Sequence, residues 1–92
     1  MDDGHYEWDG AKAASNLAKH GVRFEDARDV FKDPFAIEFA DDRHDHGEER
    51  FILIGMAGDR LLAVVYTLRG ECIRLISARG AEAHEQRQYH NG

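Results

Sequence analysis

Three apolar runs separated by very short polar turns constrain the fold of this chain more than any other feature. The runs cover residues 50–56, 60–67 and 72–78, and the turns between them read AGD and RGE. Each run has the length and the β-branched content typical of a strand. Parallel strands need a crossover of a dozen residues or more, so strands joined this closely must be antiparallel neighbours. The sequence therefore predicts an antiparallel meander.

Two helices are predicted before this meander. Asp9 is a typical N-cap residue and Gly21 a typical C-terminal cap, so the segment 11–20 between them should be helical. Apolar spacing predicts a second helix from about 24 to 32, ended by the Asp-Pro pair that follows. The first helix should cover the sheet with its small apolar side, which consists of Ala13, Ala14, Leu17 and Ala18.

Three further segments complete the predicted domain. Residues 5–8 could form a short strand, and the polar segment 81–92 could form a helix anchored by Tyr89. After residue 34 the apolar period becomes two, and one side of this strand carries Phe35, Ile37 and Phe39. Residues 1–92 therefore form one α+β domain, in which two N-terminal helices pack on an antiparallel sheet of about four strands, with a short C-terminal helix.

The central strands are apolar on both faces, which sets a further requirement. In the segment 60–67, Leu61, Ala63 and Val65 alternate with three apolar side chains of the opposite parity. Two apolar faces need two covers, and the two helices supply only one. The C-terminal segment is too polar to cover the second face alone. That face is therefore a concave site, an interface with another chain, or the inside of a sheet that curls on itself.

Size and hydropathy narrow the class of protein. A chain of 92 residues has room for one small core. Its longest apolar stretch is too short to span a bilayer, and its N-terminus lacks the pattern of a signal peptide. The lone Cys72 fits a reducing compartment. We therefore expect a cytoplasmic protein that makes no contact with a membrane.

The distribution of charge changes what the net charge of −6 implies. A negative chain argues against a nucleic-acid partner, because phosphate contacts need Lys and Arg. However, residues 1–46 contain 12 acidic and 6 basic side chains, whereas 47–92 contain 6 of each, and every base there is Arg. Arginine without lysine suits bidentate binding of phosphate or carboxylate, although a compositional bias of the genome would give the same pattern.

A polar face of the first helix is the most ordered polar set in the sequence. Its members, at positions i, i+4, i+7 and i+8, are Lys12, Asn16, Lys19 and His20. They project together and could hold phosphates or the carboxylates of a partner. Spacing alone favours the alternative, an ordinary solvated face with bases near the helix C-terminus.

Arg74 and Arg79 on the last strand pose a question of parity. In an unbroken strand they point to opposite faces, so both can enter one site only if the strand ends or bulges near Ala78. The alternative for each is a surface ion pair with Glu48, Glu49 or Glu71, which contributes little stability.

One polar run could bind a divalent metal, but its ligands lack the spacing of a recognised site. It consists of Asp41, Asp42, His44, Asp45, His46 and Glu48. We interpret it as a solvated loop and expect neither a metal nor a cofactor. No phosphate loop, dinucleotide-binding turn or nucleophile elbow is present, so an enzyme here would depend on acid-base groups and arginines.

Three segments carry a family resemblance. WDGAKAASNLAKHGVRFEDARDVFKDP, GEERFILIGMAGDRLLAVVYTLRG and IRLISARGAEAHEQRQY resemble BrnT-type toxins of bacterial type II toxin-antitoxin modules, from about Tyr6 to Tyr89. The resemblance implies a RelE-like fold and a metal-independent ribonuclease that arrests translation. It also implies a BrnA-type antitoxin with a ribbon-helix-helix domain, through which the complex contacts operator DNA.

The resemblance also implies roles for particular residues. In RelE-like ribonucleases the ribose 2′-hydroxyl attacks the adjacent phosphate, so a base, an acid and cations are needed. Arg69 and Arg79 would stabilise the phosphate, and His20 or Glu49 would transfer protons. The candidate RNA-binding residues are Lys12, Lys19, Arg50, Arg74 and Tyr89.

Two alternative functions remain open at this point. A non-catalytic toxin-like module would bind its antitoxin, or co-repress the operon, without cleaving RNA. A metal-dependent enzyme built on the His/Asp loop would lose its activity to chelators.

Overall fold

The computed structural model describes residues 5–41 and 47–91, which form three helices and a five-stranded sheet. The predicted α+β class and the antiparallel meander are confirmed. The order of strands across the sheet is β1-β5-β4-β3-β2. The elements are β1 (Tyr6–Glu7), α1 (Gly10–His20), α2 (Phe24–Ala27), a 3₁₀ helix (Arg28–Lys32), β2 (Ile37–Asp41), β3 (Arg50–Ala57), β4 (Arg60–Arg69), β5 (Cys72–Gly80) and α3 (Ala83–Asn91).

The first strand corrects the prediction of a purely antiparallel sheet with about four strands. β1 pairs with β5 in parallel, with Tyr6 opposite Ile73 and Glu7 opposite Arg74. A parallel pair is possible here because most of the chain lies between the two strands and serves as the crossover. The short strand predicted at residues 5–8 is thus present as β1, whereas its parallel pairing with β5 was not predicted.

Both predicted boundaries of α1 are confirmed. The Asp9 Oδ1 atom accepts the backbone N–H groups of Ala11, at 2.8 Å, and Lys12, at 3.3 Å. Gly21 ends the helix with a φ of 67°, a left-handed conformation that glycine adopts without a steric penalty.

The second predicted helix is present but irregular. It begins at Phe24 without a side-chain cap from Arg23, and after Ala27 it tightens into the 3₁₀ helix. Asp33 then ends it, and its Oδ1 atom accepts the Phe35 backbone N–H at 2.9 Å. Phe35 was predicted to lie in β2, but it precedes that strand and is exposed.

The packing face of α1 agrees with the prediction only at Ala13, which packs against the core. Asn16 is 5% exposed, whereas Leu17 is 46% exposed, and Ala14 and Ala18 also face solvent. The Asn16 side chain replaces apolar contacts with hydrogen bonds to β5, which a helical wheel based on apolarity cannot detect.

The main core lies between the helices and one face of the sheet. Phe24, Ala27 and Val30 are fully buried against side chains of β3, β4 and β5. Trp8 closes one edge of this core, with its ring 5.9 Å from that of Phe24. Among the described residues, no helix has the length and apolar character needed to cross a membrane.

The opposite face of the sheet is partly covered by α3. Ile54, Ala63 and Val65 are buried on this face, outside the main core. α3 lies against β3. The Glu85 side chain of α3 accepts a hydrogen bond from Arg79, which is paired with Ala63. A polar helix therefore shields the centre of the second apolar face by means of polar contacts, while Phe39 on the edge strand stays 39% exposed.

Candidate functional site

An irregularity in β5 brings the arginines of that strand to one face. Leu75 pairs with Tyr66, but the next pair joins Ser77 to Val65, so Ile76 is an extra residue. Such a bulge reverses the parity of the residues after it. Arg74 and Arg79, paired with Thr67 and Ala63, therefore lie on the same face as Ser77. The condition set by the sequence for both arginines to share one face is met.

Beside this bulge lies a shallow cavity of about 160 Å³. α1 and β5 form its walls, which consist of Lys12, Ser15, Asn16, Lys19, His20, Ile76 and Ser77. We call this cavity the α1–β5 pocket. Three predicted site residues, Lys12, Lys19 and His20, thus meet at one place.

Asn16 fixes the pocket's two walls relative to each other. Its side-chain amide donates to the backbone oxygens of Ala78, at 2.8 Å, and Val22, at 3.0 Å. Its Oδ1 atom accepts the Ala78 N–H at 3.0 Å. β1 pairs only with the start of β5, so Asn16 takes the place of a neighbouring strand at Ala78. Asn16 is therefore a structural residue and not part of the exposed polar face predicted from the sequence.

The bases of the pocket differ from the arginines in their partners. In the described part of the chain, no ion pair joins Lys12, Lys19 or His20 to a carboxylate. All three side chains are exposed. The pocket is therefore a locally positive site in a chain whose net charge is −6.

Arg69 and Arg74 converge on one carboxylate at the start of β5. The Glu7 Oε2 atom lies 3.0 Å from Nη1 of Arg74 and 3.7 Å from Nη1 of Arg69. On another strand, Arg50 forms an ion pair with Glu48 at 3.2 Å. Glu7 therefore balances only one of the two positive charges of Arg69 and Arg74, whereas Glu48 balances that of Arg50.

Arg79 makes the best-formed ion pair among the described residues. Its Nη1 and Nη2 atoms donate to the two carboxylate oxygens of Glu85 at 2.8 and 3.0 Å. Glu85 is 5% exposed, and its Oε1 atom also accepts the Glu82 N–H at 2.8 Å. Hydrogen bonding to Arg79 lowers the pKa of Glu85 despite its burial, and the same bonds raise the pKa of Arg79.

The comparison with known families decides what kind of protein has this arrangement. Residues 8–85 match the family described as the ribonuclease toxin BrnT of type II toxin-antitoxin systems. This chain belongs to the BrnT family. A search of curated proteins returned no match. The BrnT match extends from Trp8 to Glu85, so it covers the α1–β5 pocket and all predicted site residues except Tyr89.

Tyr89 lies apart from the pocket in this BrnT-family chain. Its hydroxyl donates to Oδ2 of Asp33 at 2.6 Å, and the same oxygen accepts the Met56 N–H at 2.8 Å. This bond raises the pKa of Tyr89. Burial alone would raise the pKa of Asp33, but the hydrogen bonds it accepts hold it below its ordinary value. Tyr89 anchors α3 as the sequence predicted, and its proposed contact with RNA stays a prediction.

The second proton-transfer candidate, Glu49, is not in the α1–β5 pocket. It lies just before β3, and its backbone oxygen accepts a hydrogen bond from the hydroxyl of Thr67. Thr67 is paired with Arg74, so Glu49 lies near the Arg74 end of the sheet, whereas His20 lies beside Ser77. The two candidates therefore lie at different positions along β5: Glu49 is near the Arg74 end, and His20, on α1, is beside Ser77.

The metal-binding alternative gains no ligand cluster from the described residues. Asp42, His44, Asp45 and His46 lie outside them. Within residues 5–41 and 47–91, carboxylate and imidazole groups cluster only at Glu82, His84 and Glu85. Glu85 is already bound to Arg79 through both oxygens.

Sequence reasoning missed three residues of this region: Ser77, Glu7 and Glu85. Ser77 lies on the same face as Arg74 because of the bulge at Ile76, and no pattern in the sequence indicates this bulge. Glu7 lies opposite Arg74 because β1 pairs in parallel with β5, and this pairing was not predicted. Glu85 carried a signal that was available, because it lies six residues after Arg79, across the turn from strand to helix.

Proposed function

We propose that this BrnT-family chain is an endoribonuclease toxin that cleaves RNA by attack of a ribose 2′-hydroxyl on the adjacent phosphate, without a metal, and thereby arrests translation. The observation that carries the proposal is the α1–β5 pocket, where two lysines and a histidine without ion-pair partners in the described chain meet the bulge of β5. Such a site attracts the phosphates of RNA even in a negative chain, because electrostatic attraction between exposed charges acts over about 10 Å.

The two lysines would position the RNA. Seven residues of helix separate Lys12 from Lys19, a rise of about 10 Å, so they would contact different phosphates of one strand. On the sheet side, Arg74 and Arg79 are paired with residues of β4 that lie four positions apart, or about 13 Å. Both arginines lie on the face of β5 that carries Ser77, a residue of the pocket wall, so they would contact further phosphates of the same strand.

His20 is the candidate for proton transfer inside the pocket. In the reaction the 2′-oxygen bonds to phosphorus and loses its proton to a base, and the bond to the 5′-oxygen breaks as that oxygen gains a proton. Imidazole suits either transfer because its ring nitrogens can accept a proton in the neutral form and donate one in the charged form. Glu49 would require the RNA to extend toward the Arg74 end of the sheet.

The cations supply what a metal would otherwise provide. Negative charge develops on the phosphate oxygens in the transition state, and fixed donors aimed at that charge stabilise it. Arg79 is held in place by Glu85, and Arg69 is 60% exposed and only loosely paired with Glu7. We assign stabilisation of the phosphate under attack to Arg79. Arg69 lies six residues of β4, or about 20 Å, from Ala63, the partner of Arg79, so it would contact a different phosphate.

A cognate antitoxin would hold the toxin inactive. Membership of a type II toxin-antitoxin family supports a protein antitoxin. We propose that it is of BrnA type, with a ribbon-helix-helix domain through which the complex contacts operator DNA. A toxin that stops translation would act in the cytoplasm.

Induced expression of the chain without a partner tests the activity. We expect growth to stop and cellular RNA to be cut, and Arg79→Ala and His20→Ala to relieve both effects. Arg87→Ala, which removes a charge from the outer part of α3, is the matched control. Purified toxin should cleave RNA in the presence of EDTA. Normal growth with intact RNA at confirmed soluble expression would overturn the enzymatic proposal.

One observation favours a second candidate, a non-catalytic module that only binds its antitoxin. Four predicted RNA-contacting arginines already have carboxylate partners, which weakens their attraction for phosphate. This candidate predicts a tight complex with the antitoxin and no RNA cleavage. A metal-dependent enzyme, in contrast, would lose its activity to EDTA and to substitution of His44 and His46 by Ala.

A further inference from the structure

The burial of Glu85 needs an explanation. A carboxylate that is 5% exposed is costly unless it is paired and hydrogen-bonded. Glu85 meets this condition with three hydrogen bonds, two from Arg79 and one from the backbone of Glu82. α3 is otherwise polar, and Tyr89 is its other hydrogen-bonded anchor. α3 therefore places the carboxylate of Glu85 against the guanidinium of Arg79.

The geometry of this pair leaves part of Arg79 available. A guanidinium has five N–H groups in a fixed fork. Two of those on Nη1 and Nη2 bind Glu85, and Nη1 also donates to the Gly80 carbonyl at 3.3 Å. Among the described residues, no hydrogen bond occupies the edge formed by Nε and the second Nη2 hydrogen. The Arg79 side chain is 22% exposed and is therefore not fully enclosed by the protein.

The position of Arg79 near the α1–β5 pocket favours a phosphate as the ligand of this edge. Arg79 lies on the same face as Ser77, two residues along β5, and Ser77 lines the α1–β5 pocket. The strand beneath is rigid, because Ala63, the pairing partner of Arg79, is 1% exposed in the middle of the sheet. An arginine edge with two N–H groups matches two oxygens of a phosphate.

We propose that Glu85 is a positioning residue for RNA cleavage: it fixes the Arg79 guanidinium so that its open edge binds the phosphate under attack. The inference rests on the proposed function and adds a residue to it. A carboxylate that merely blocked Arg79 would predict the opposite effect, because its removal would free the arginine and speed up cleavage.

The pair should affect the rate of cleavage more than the affinity for RNA. Arg79 and Glu85 together carry no net charge, so they contribute little to salt-dependent attraction. Their contribution is directional, and a small misplacement of such a donor costs about 10²-fold in rate. We therefore expect Glu85→Gln to lower kcat by roughly 10²-fold even though RNA binds as tightly as in the wild type or more tightly, because the variant leaves the charge of Arg79 unbalanced.

A double-mutant cycle with Arg79→Ala tests this assignment. Arg79→Ala should cost roughly 10²- to 10³-fold in kcat, and adding Glu85→Gln should cost little more. Glu82→Gln, an exposed neighbour in the same turn, is the control. If Glu85→Gln fails to fold, Glu85→Asp keeps the charge but withdraws the carboxylate by one methylene, and it should also lower kcat. Faster cleavage in either variant, unchanged kcat, or losses that simply add would overturn the inference.

A measurement without RNA separates this inference from the proposed function. Restrained Arg79 should give slowly exchanging Nη protons by NMR in the wild type, and these should disappear in Glu85→Gln. A freely rotating guanidinium in the wild type would overturn positioning by Glu85 whatever the activity. Failure of the wild-type protein to cleave RNA, with Arg79 restrained, would instead overturn the proposed function.

Discussion

The lysines of α1 and the arginines of the sheet carry the same charge but differ in their surroundings. Lys12 and Lys19 have no ion-pair partner in the described chain. Arg69 and Arg74 share the carboxylate of Glu7. The sequence drew attention to the arginines, because no lysine accompanies them in the second half of the chain. In the folded protein, it is the lysines that are free to attract an anion.

This difference shows why net charge is a poor guide to the partner. A paired arginine contributes directional hydrogen bonds but little attraction at a distance, whereas an unpaired lysine contributes attraction but little direction. The net charge of −6 sums both kinds of site. The lysines are therefore expected to gather RNA, and the paired arginines to orient it.

The largest expected effect is the loss of stability on replacing Asn16, whose side chain joins α1 to β5. Asn16→Ala leaves buried backbone groups of Ala78 and Val22 without partners, so we expect a loss of about 2–4 kcal/mol in the free energy of unfolding. Urea denaturation at neutral pH measures this loss, and Ser15→Ala, an exposed neighbour, is the control. A loss below about 1 kcal/mol would mean that Asn16 does not hold α1 against β5.

The second prediction tests the lysines against the arginines directly. Lys12→Ala combined with Lys19→Ala should weaken RNA binding at least about 10-fold near 0.1 M salt, and reduce the salt dependence by roughly 0.7 for each lysine. Arg50→Ala combined with Arg69→Ala removes the same charge and frees Glu48, while Glu7 stays paired with Arg74.

For this arginine pair we expect a change of less than about 3-fold, because exposed ion pairs are weak and their carboxylates already offset the positive charge. Fluorescence anisotropy with labelled RNA at several salt concentrations measures both variants. Equal effects of the two double variants would break the distinction between paired and unpaired bases.

The third prediction concerns the ion pair of Arg79 and Glu85 at acid pH. The pKa of Glu85 is lower in the folded protein than its ordinary value of 4.5, so its stabilising contribution is present above that value and is lost as the pH falls below it. We expect the free energy of unfolding to decline from about pH 5 downward, and the decline to be shallower in Glu85→Gln. Glu71→Gln, in the exposed turn before β5, is the control for the loss of one carboxylate. Identical profiles in the wild type and Glu85→Gln would show that this pair contributes nothing.

Local signals in the sequence predicted the elements well. The cap at Asp9, the glycine at Gly21 and the short turns of the meander each depend on a few neighbouring residues, and all are present. These signals are readable because the physical cause lies within one turn of the chain.

The features that sequence reasoning missed depend on distant partners. Asn16 is buried because of Ala78, and β1 pairs with a strand more than sixty residues away. The bulge at Ile76 is defined only by the register with β4, which no local pattern encodes. The candidate site depends on all three features, so its side chains could be named from the sequence but not placed.

The smallest expected effect is the change in RNA affinity on removing the carboxylate partner of Arg69 and Arg74. Glu7→Gln removes the carboxylate shared by Arg69 and Arg74, so both guanidinium groups should become available to phosphate. We expect RNA to bind about 2- to 5-fold more tightly at low salt, with little change at high salt, and unfolding to change by less than about 1 kcal/mol. Glu25→Gln, which removes the exposed partner of Arg23, is the control for a general gain of positive charge. Equal tightening in both variants would mean that overall charge, and not the release of Arg69 and Arg74, governs binding. Weaker binding in Glu7→Gln would mean that Glu7, like Glu85, orients the arginines it holds.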